Sequence, residues 1–140
     1  MLTSLAIKNF SLIEDLEVSF TSGLCILTGE TGSGKSILLE ALSLILGQRA
    51  DLSTIRKNAT KCVVEATFEI ANHNLSDLFK TSDLDEEPQT IIRRELSANG
   101  KSRAFVNDTP VTLDTLKTLG TALVDIHTQR QTTQLTDPAF

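Results

Sequence analysis

The stretch Gly29-Glu30-Thr31-Gly32-Ser33-Gly34-Lys35-Ser36 constrains this chain more than any other. It fits G-x-x-x-x-G-K-[ST], the P-loop pattern, at every fixed position. Each position has a physical role. Glycines let the backbone curl and bring successive N–H groups onto phosphate oxygens. The helix that follows turns its positive end towards the same anion. Lys35 is the phosphate cation, and the Ser36 hydroxyl is the Mg²⁺ ligand. Glu30, Thr31 and Ser33 contribute mainly backbone N–H groups. The flanks agree: Leu24-Cys25-Ile26-Leu27 precedes the loop as an apolar run of strand length. Ile37 to Leu46 follows with helical composition, and Gly47 is placed to end that helix. The alternative is an ordinary glycine turn capping a helix.

The rest of the chain reads mostly as strands. Residues 2–8 form a first strand, broken at Asn9-Phe10-Ser11. In 13–20, Leu16, Val18 and Phe20 alternate with Asp15, Glu17 and Ser19, the pattern of a half-buried antiparallel partner. Residues 48–58 are polar and loop-like, with Arg49, Arg56 and Lys57. A strand spans 61–70, a short helix lies within 72–80, and 82–88 is an acidic loop. The segments 90–96 and 101–106 flank Asn99-Gly100, a strong hairpin signal. A tight turn follows at 107–110. Thr112 caps a helix that Gly120 closes, and 121–126 forms a final strand. The expected architecture is α/β: a P-loop fold whose 24–27 and 121–126 strands form a parallel core, with an antiparallel β-subdomain attached. The expected segments are 1–60 (strands, P-loop and its helix), 61–110 (antiparallel region) and 111–140 (helix, strand and terminal loop).

Bulk properties narrow the function. A net charge of −5 argues against coating nucleic acid by bulk charge. The two cysteines, Cys25 and Cys62, lie in apolar runs and read as buried free thiols. No signal peptide is recognisable, and no apolar run approaches the length of a membrane span, so the cytoplasm is expected.

Beyond the loop, the ordered set Leu5 to Phe10, Gly29 to Ser36, Leu42 to Asp51, Ile92 to Leu96, Ser102 to Asn107 and Leu123 to Gln129 closely resembles the N-terminal head segment of the RecN family. These are bacterial DNA double-strand-break repair ATPases related to SMC proteins. The resemblance covers essentially the whole chain. It implies the N-terminal half of an ABC-type, SMC-like ATPase head that uses ATP and Mg²⁺. In that family a coiled coil separates this half from a C-terminal half carrying the signature motif, the Walker B acids and a switch histidine. Two heads sandwich two ATP molecules, and the complete protein acts on DNA at the nucleoid. No run of heptads is present here, so the chain reads as an isolated N-terminal piece.

The resemblance places the Q-loop glutamine at Gln129, a ligand to Mg²⁺ or the attacking water, with Gln131 and Gln134 as close rivals. Thr128 stands where the family commonly has glycine. Asp125 mimics a Walker B aspartate, but no second acid follows it. His127 and His73 read as structural or loop residues. Lys8, Asn9 and Phe10 lie where related heads approach the base and ribose, or are simply a strand end. Arg49, Arg56 or Lys57 is a candidate for the γ-phosphate or DNA. Arg93, Arg94, Lys101 and Arg103, against Glu95, make a basic hairpin that is either a DNA-backbone contact or a solvated surface. The rival functions are another P-loop ATPase, such as a transporter subunit or a nucleotide kinase, and a non-catalytic DNA-docking module.

Overall fold

The computed structural model describes residues 1–28, 35–124 and 126. Six strands form a single sheet: β1 (Leu2–Phe10), β2 (Ile13–Ser19), β3 (Lys61–Glu69), β4 (Gln89–Ser97), β5 (Ser102–Val106) and β6 (Thr109–Val111). Their order across the sheet is β2-β1-β3-β4-β5-β6, and every described pairing is antiparallel. Three helices accompany them: α1 (Lys35–Ile45), α2 (Ser76–Thr81) and α3 (Leu113–Leu123).

Strict alternation makes this sheet one-sided. Register aligns Leu5, Ala66, Ile92 and Val106 in one row across the inner face, and Ile7, Val64, Arg94 and Ala104 in the next. All eight are buried. Helix α1 lies over β3 and β4 and buries Ala41, Leu44 and Ile45 against them. Phe10, Phe68 and Phe79 are each at most 1% exposed. Burial of an aromatic of this size contributes roughly 1.5–3 kcal/mol.

The turns follow their chemistry. Gly100, at φ 93°, lets the β4–β5 loop reverse, and the Gly100 N–H donates to Ser97 O at 2.9 Å. Asn107 and Asp108, at φ 47° and 64°, form a two-residue turn of the kind that suits the twist of a hairpin. The expected turn at 107–110 is therefore shorter, and Thr109-Pro110-Val111 pairs as the edge strand β6. Strand β1 also runs further than expected. Asn9 takes φ 54° without ending the strand, and Phe10 still pairs with Ile13.

Three expectations are corrected. First, 24–27 is neither a strand nor buried: Leu24 is 89% and Ile26 72% exposed. A strand needs a hydrogen-bonding neighbour, and this segment joins neither edge of the described sheet. Cys25 is accordingly exposed, whereas Cys62 is buried as expected. Second, 121–123 is helical. Thr112 caps α3 as predicted, its Oγ1 accepting the Thr115 N–H at 3.2 Å, but Gly120 lies inside the helix. A Cβ there would come within 3.0 Å of the Leu46 Cα, so this glycine serves a close helix approach and not a chain reversal. Third, with both segments gone from the sheet, no parallel core exists among the described residues.

Helix α1 ends as its sequence suggests. Gly47 adopts φ 87°, its N–H donates to Leu44 O, and the Gln48 N–H reaches back to Ser43 O, each at 3.1 Å. This is the Schellman arrangement. No helix among the described residues is long and apolar enough to cross a membrane.

Two glycines and two thiols make this fold testable. Gly23, at φ 99°, faces open space, whereas a Cβ on Gly47 would lie 2.8 Å from the Lys117 N. Gly23→Ala is expected to cost about 1 kcal/mol from left-handed backbone strain alone, and Gly47→Ala clearly more, in urea denaturation. Burial pushes the Cys62 thiol up to about 11, so it stays protonated at neutral pH. Alkylation of the folded chain at pH 8 is expected to modify Cys25 alone, and Cys62 only after denaturation, as read by mass spectrometry.

Candidate nucleotide site

Lys35 and Ser36 are the first two residues of α1, and both are exposed. Among the described residues the first turn of α1 holds no acidic side chain, which suits the positive end of the helix to an anion. Lys35 borders a cleft of about 280 Å³ whose other walls are apolar, among them Leu2, Phe20, Leu27, Leu38 and Leu42. An ammonium and a hydroxyl on an exposed helix start form a donor set suited to a phosphate chain and its magnesium ion. Gly29, Glu30, Thr31, Gly32, Ser33 and Gly34 lie outside the described residues. So do Asp125, His127, Gln129, Gln131 and Gln134.

The remaining candidates separate clearly. Phe10 is fully buried, so it belongs to the core and not to a ligand surface. Asn9 Nδ2 donates to Lys61 O at 3.1 Å, which ties β1 to the start of β3. Lys8 is exposed and lies opposite Asp15 in the sheet register. Arg56 pairs with Glu14 at 3.3 Å, while its N–H donates to Asn9 O at 2.8 Å. Arg49 is exposed and lines a polar cleft of about 500 Å³ with Ser11, Glu40, Ser43, Gln48 and Asp51. His73 sits in the turn after β3, where its backbone N–H donates to Ile70 O at 2.8 Å, a loop residue as expected.

The basic hairpin dissolves when its residues are sorted by face. Arg93 points outward and is held by acids: Asp108 at 2.9 Å, Glu95 at 3.2 Å and Glu65 at 3.9 Å. Its guanidinium also stacks 4.5 Å from the centroid of the Phe105 ring. Lys61 pairs with the same Glu95 at 3.0 Å. Arg94 points inward and is 1% exposed. Only Lys101 and Arg103 of the four remain exposed without an ion pair among the described residues. The ion-paired Arg93 and the buried Arg94 favour a solvated surface over a phosphate-backbone contact for this hairpin.

Arg94 is the residue whose setting the sequence reading missed. Its Nη1 donates to the carbonyls of Leu44 and Gln48, both at 3.1 Å, and its Nη2 donates to Ser102 Oγ at 2.8 Å. Burial pushes its guanidinium pKa below the ordinary value. The signal was present: Ile92 and Leu96 flank it at strand spacing, which puts position 94 on the apolar face.

Comparison with known proteins fits this geometry. A family model for an AAA domain matches residues 4–137. The DNA repair protein RecN of Vibrio cholerae is 40% identical over 141 residues, covering 100% of this chain and 26% of that protein. RecN of Bacillus subtilis is 41% identical over 131 residues, covering 92% and 23%. The chain thus spans about a quarter of the length of the curated relatives it matches, and corresponds to the N-terminal part of RecN. Among solved structures, the Smc head domain of Pyrococcus furiosus superposes with a TM-score of 0.69 at 23% identity, over 86% of this chain and 32% of that one. The recombination mediator RecF in its ATP form gives 0.63 at 20% identity, over 79% and 27%. The sheet, the helix that Lys35 opens and a family match across nearly the whole length agree: the chain belongs to the AAA domain family, with the α/β fold of Smc and RecF heads.

Proposed function

We propose that this chain is the nucleotide-binding N-terminal half of a RecN-like DNA repair ATPase head. One observation carries the reading: Lys35 and Ser36 of a complete P-loop pattern stand exposed at the start of a helix packed on an antiparallel sheet. In this reading the backbone N–H groups of 29–34 hold the β- and γ-phosphates of ATP, with Lys35 neutralising their charge. Ser36 and Gln129 are the ligands this chain offers to Mg²⁺. The metal, when bound, would supply positive charge to offset the charge that develops in phosphoryl transfer. What the chain itself does is bind, orient and shield.

The wider assembly is part of the same proposal. Two solved relatives are described as SMC ATPases with ATP-driven dimerisation and DNA-stimulated activation, and as RecF bound to ATP. By analogy, two heads close on ATP, each completed by a C-terminal half and its coiled coil. The cycle is coupled to DNA double-strand-break repair in the cytoplasm, at the nucleoid. The carboxylate that orients water belongs to the other half.

The complete protein with Lys35→Ala is expected to lose MgATP binding by at least about a hundredfold. Unchanged affinity, measured with a fluorescent ATP analogue, would overturn the site. Purified residues 1–140 are expected to show negligible ATP turnover. Robust phosphate release by that piece alone would remove the split-site arrangement.

A further inference from the structure

Arg94 is out of place by the ordinary logic of a sheet. Its row across the inner face is otherwise Ile7, Val64 and Ala104. Among the described residues no carboxylate pairs with its guanidinium, and its Nε finds no acceptor. A buried cation without a counter-ion is costly, and an apolar side chain of similar volume in such a place is often neutral or stabilising. Core packing alone does not account for it.

What Arg94 touches does. Two of its three hydrogen bonds go to Leu44 O and Gln48 O, carbonyls at the C-terminal end of α1. That helix has no basic residue in its own last turn, so Arg94 supplies from β4 the positive charge that the end of a helix dipole favours. It is not needed as a cap. The Schellman bonds of Gly47 and Gln48 already turn the chain, and Leu44 O accepts from the Gly47 N–H as well as from Arg94. Its bonds instead tie one rigid element to another. Ser102 of β5 holds the second arm of the fork at 2.8 Å, which fixes the direction in which the guanidinium faces.

The same end of α1 is gripped from the other side. Gly47 lies against Lys117 and Leu113 of α3, and Gly120 of α3 lies against Leu46, at distances that leave no room for a Cβ to enter freely. An α-helix of 11 residues is a stiff rod about 16 Å long. Held firmly at Ile45–Gln48, such a rod has its opposite end aimed by the grip. The opposite end is Lys35 and Ser36.

We propose that Arg94 is a positioning residue for the nucleotide site. From β4 it pins the C-terminal end of α1, and so sets where Lys35 and Ser36 meet the phosphates. The inference rests on the nucleotide-site reading above. The inward arginine of the β4–β5 hairpin, and not its outward charges, thereby links the sheet to the chemistry.

The test compares Arg94→Met, Arg94→Lys and Lys35→Ala in the complete protein that contains this chain. Affinity for a fluorescent ATP analogue with Mg²⁺ is measured well below each variant's Tm. Arg94→Met is expected to keep its fold by circular dichroism and to bind MgATP at least roughly tenfold more weakly, because a misaimed site loses oriented contacts. Arg94→Lys keeps a cation for the α1 carbonyls but loses the fork, and is expected to fall between Met and the wild type. A purely structural arginine would lower Tm without moving the affinity of the folded molecules. Wild-type affinity in folded Arg94→Met therefore overturns the proposal. If that variant does not fold, wild-type affinity in Arg94→Lys overturns it. Lys35→Ala separates the two claims. Its retention of MgATP binding would remove the site itself. Lost binding there, beside unchanged binding in the Arg94 variants, would remove only the role of Arg94.

Discussion

The seating of α1 on β3 and β4 is the contact on which the other features depend. Ala41, Leu44 and Ile45 bring the helix down onto the inner face, and that face exists only because six antiparallel strands alternate without a slip through their central rows. A shift of one residue in β3 would turn Val64, Ala66 and Phe68 outward and bring Glu65 beneath the helix. The helix would then lose both its floor and its direction. Since Lys35 and Ser36 open that helix, sheet register and site geometry form one problem.

Much of this was legible in the chain. The Asn99-Gly100 reversal, the alternation of 13–20 and 61–70, the Thr112 cap and the Gly47 stop are local signals, and local signals survive into the fold. The misread segments are those whose state depends on distant partners. Leu24 to Leu27 has the composition of a core strand, but composition does not supply a neighbouring edge, and the described sheet offers it none. Residues 121–123 are similar: Thr, Ala and Leu suit either state, and the approach of Gly120 to Leu46 carries the helix through. A glycine there looks like a terminator until its tertiary neighbour is known.

The site divides along the same line. A spaced motif names Lys35 and Ser36 without any structure, because each fixed position has its own chemical reason. The basic hairpin left two readings open, and its strand distributes the charges to two faces. Arg93 and Arg94 are adjacent in the chain, yet one is enclosed by acids on the outside and the other is sealed inside against helix carbonyls. The first is already neutralised by acids, and the second is out of reach of solvent.

The two margins of the sheet carry a consequence for assembly. On one side β6 is three residues long and contains Pro110, which has no N–H to offer a newcomer. On the other, β2 displays Glu14, Asp15 and Glu17 along its length. Both borders discourage a further strand from another molecule. Among the described residues, neither border invites a second copy of this domain to continue the sheet.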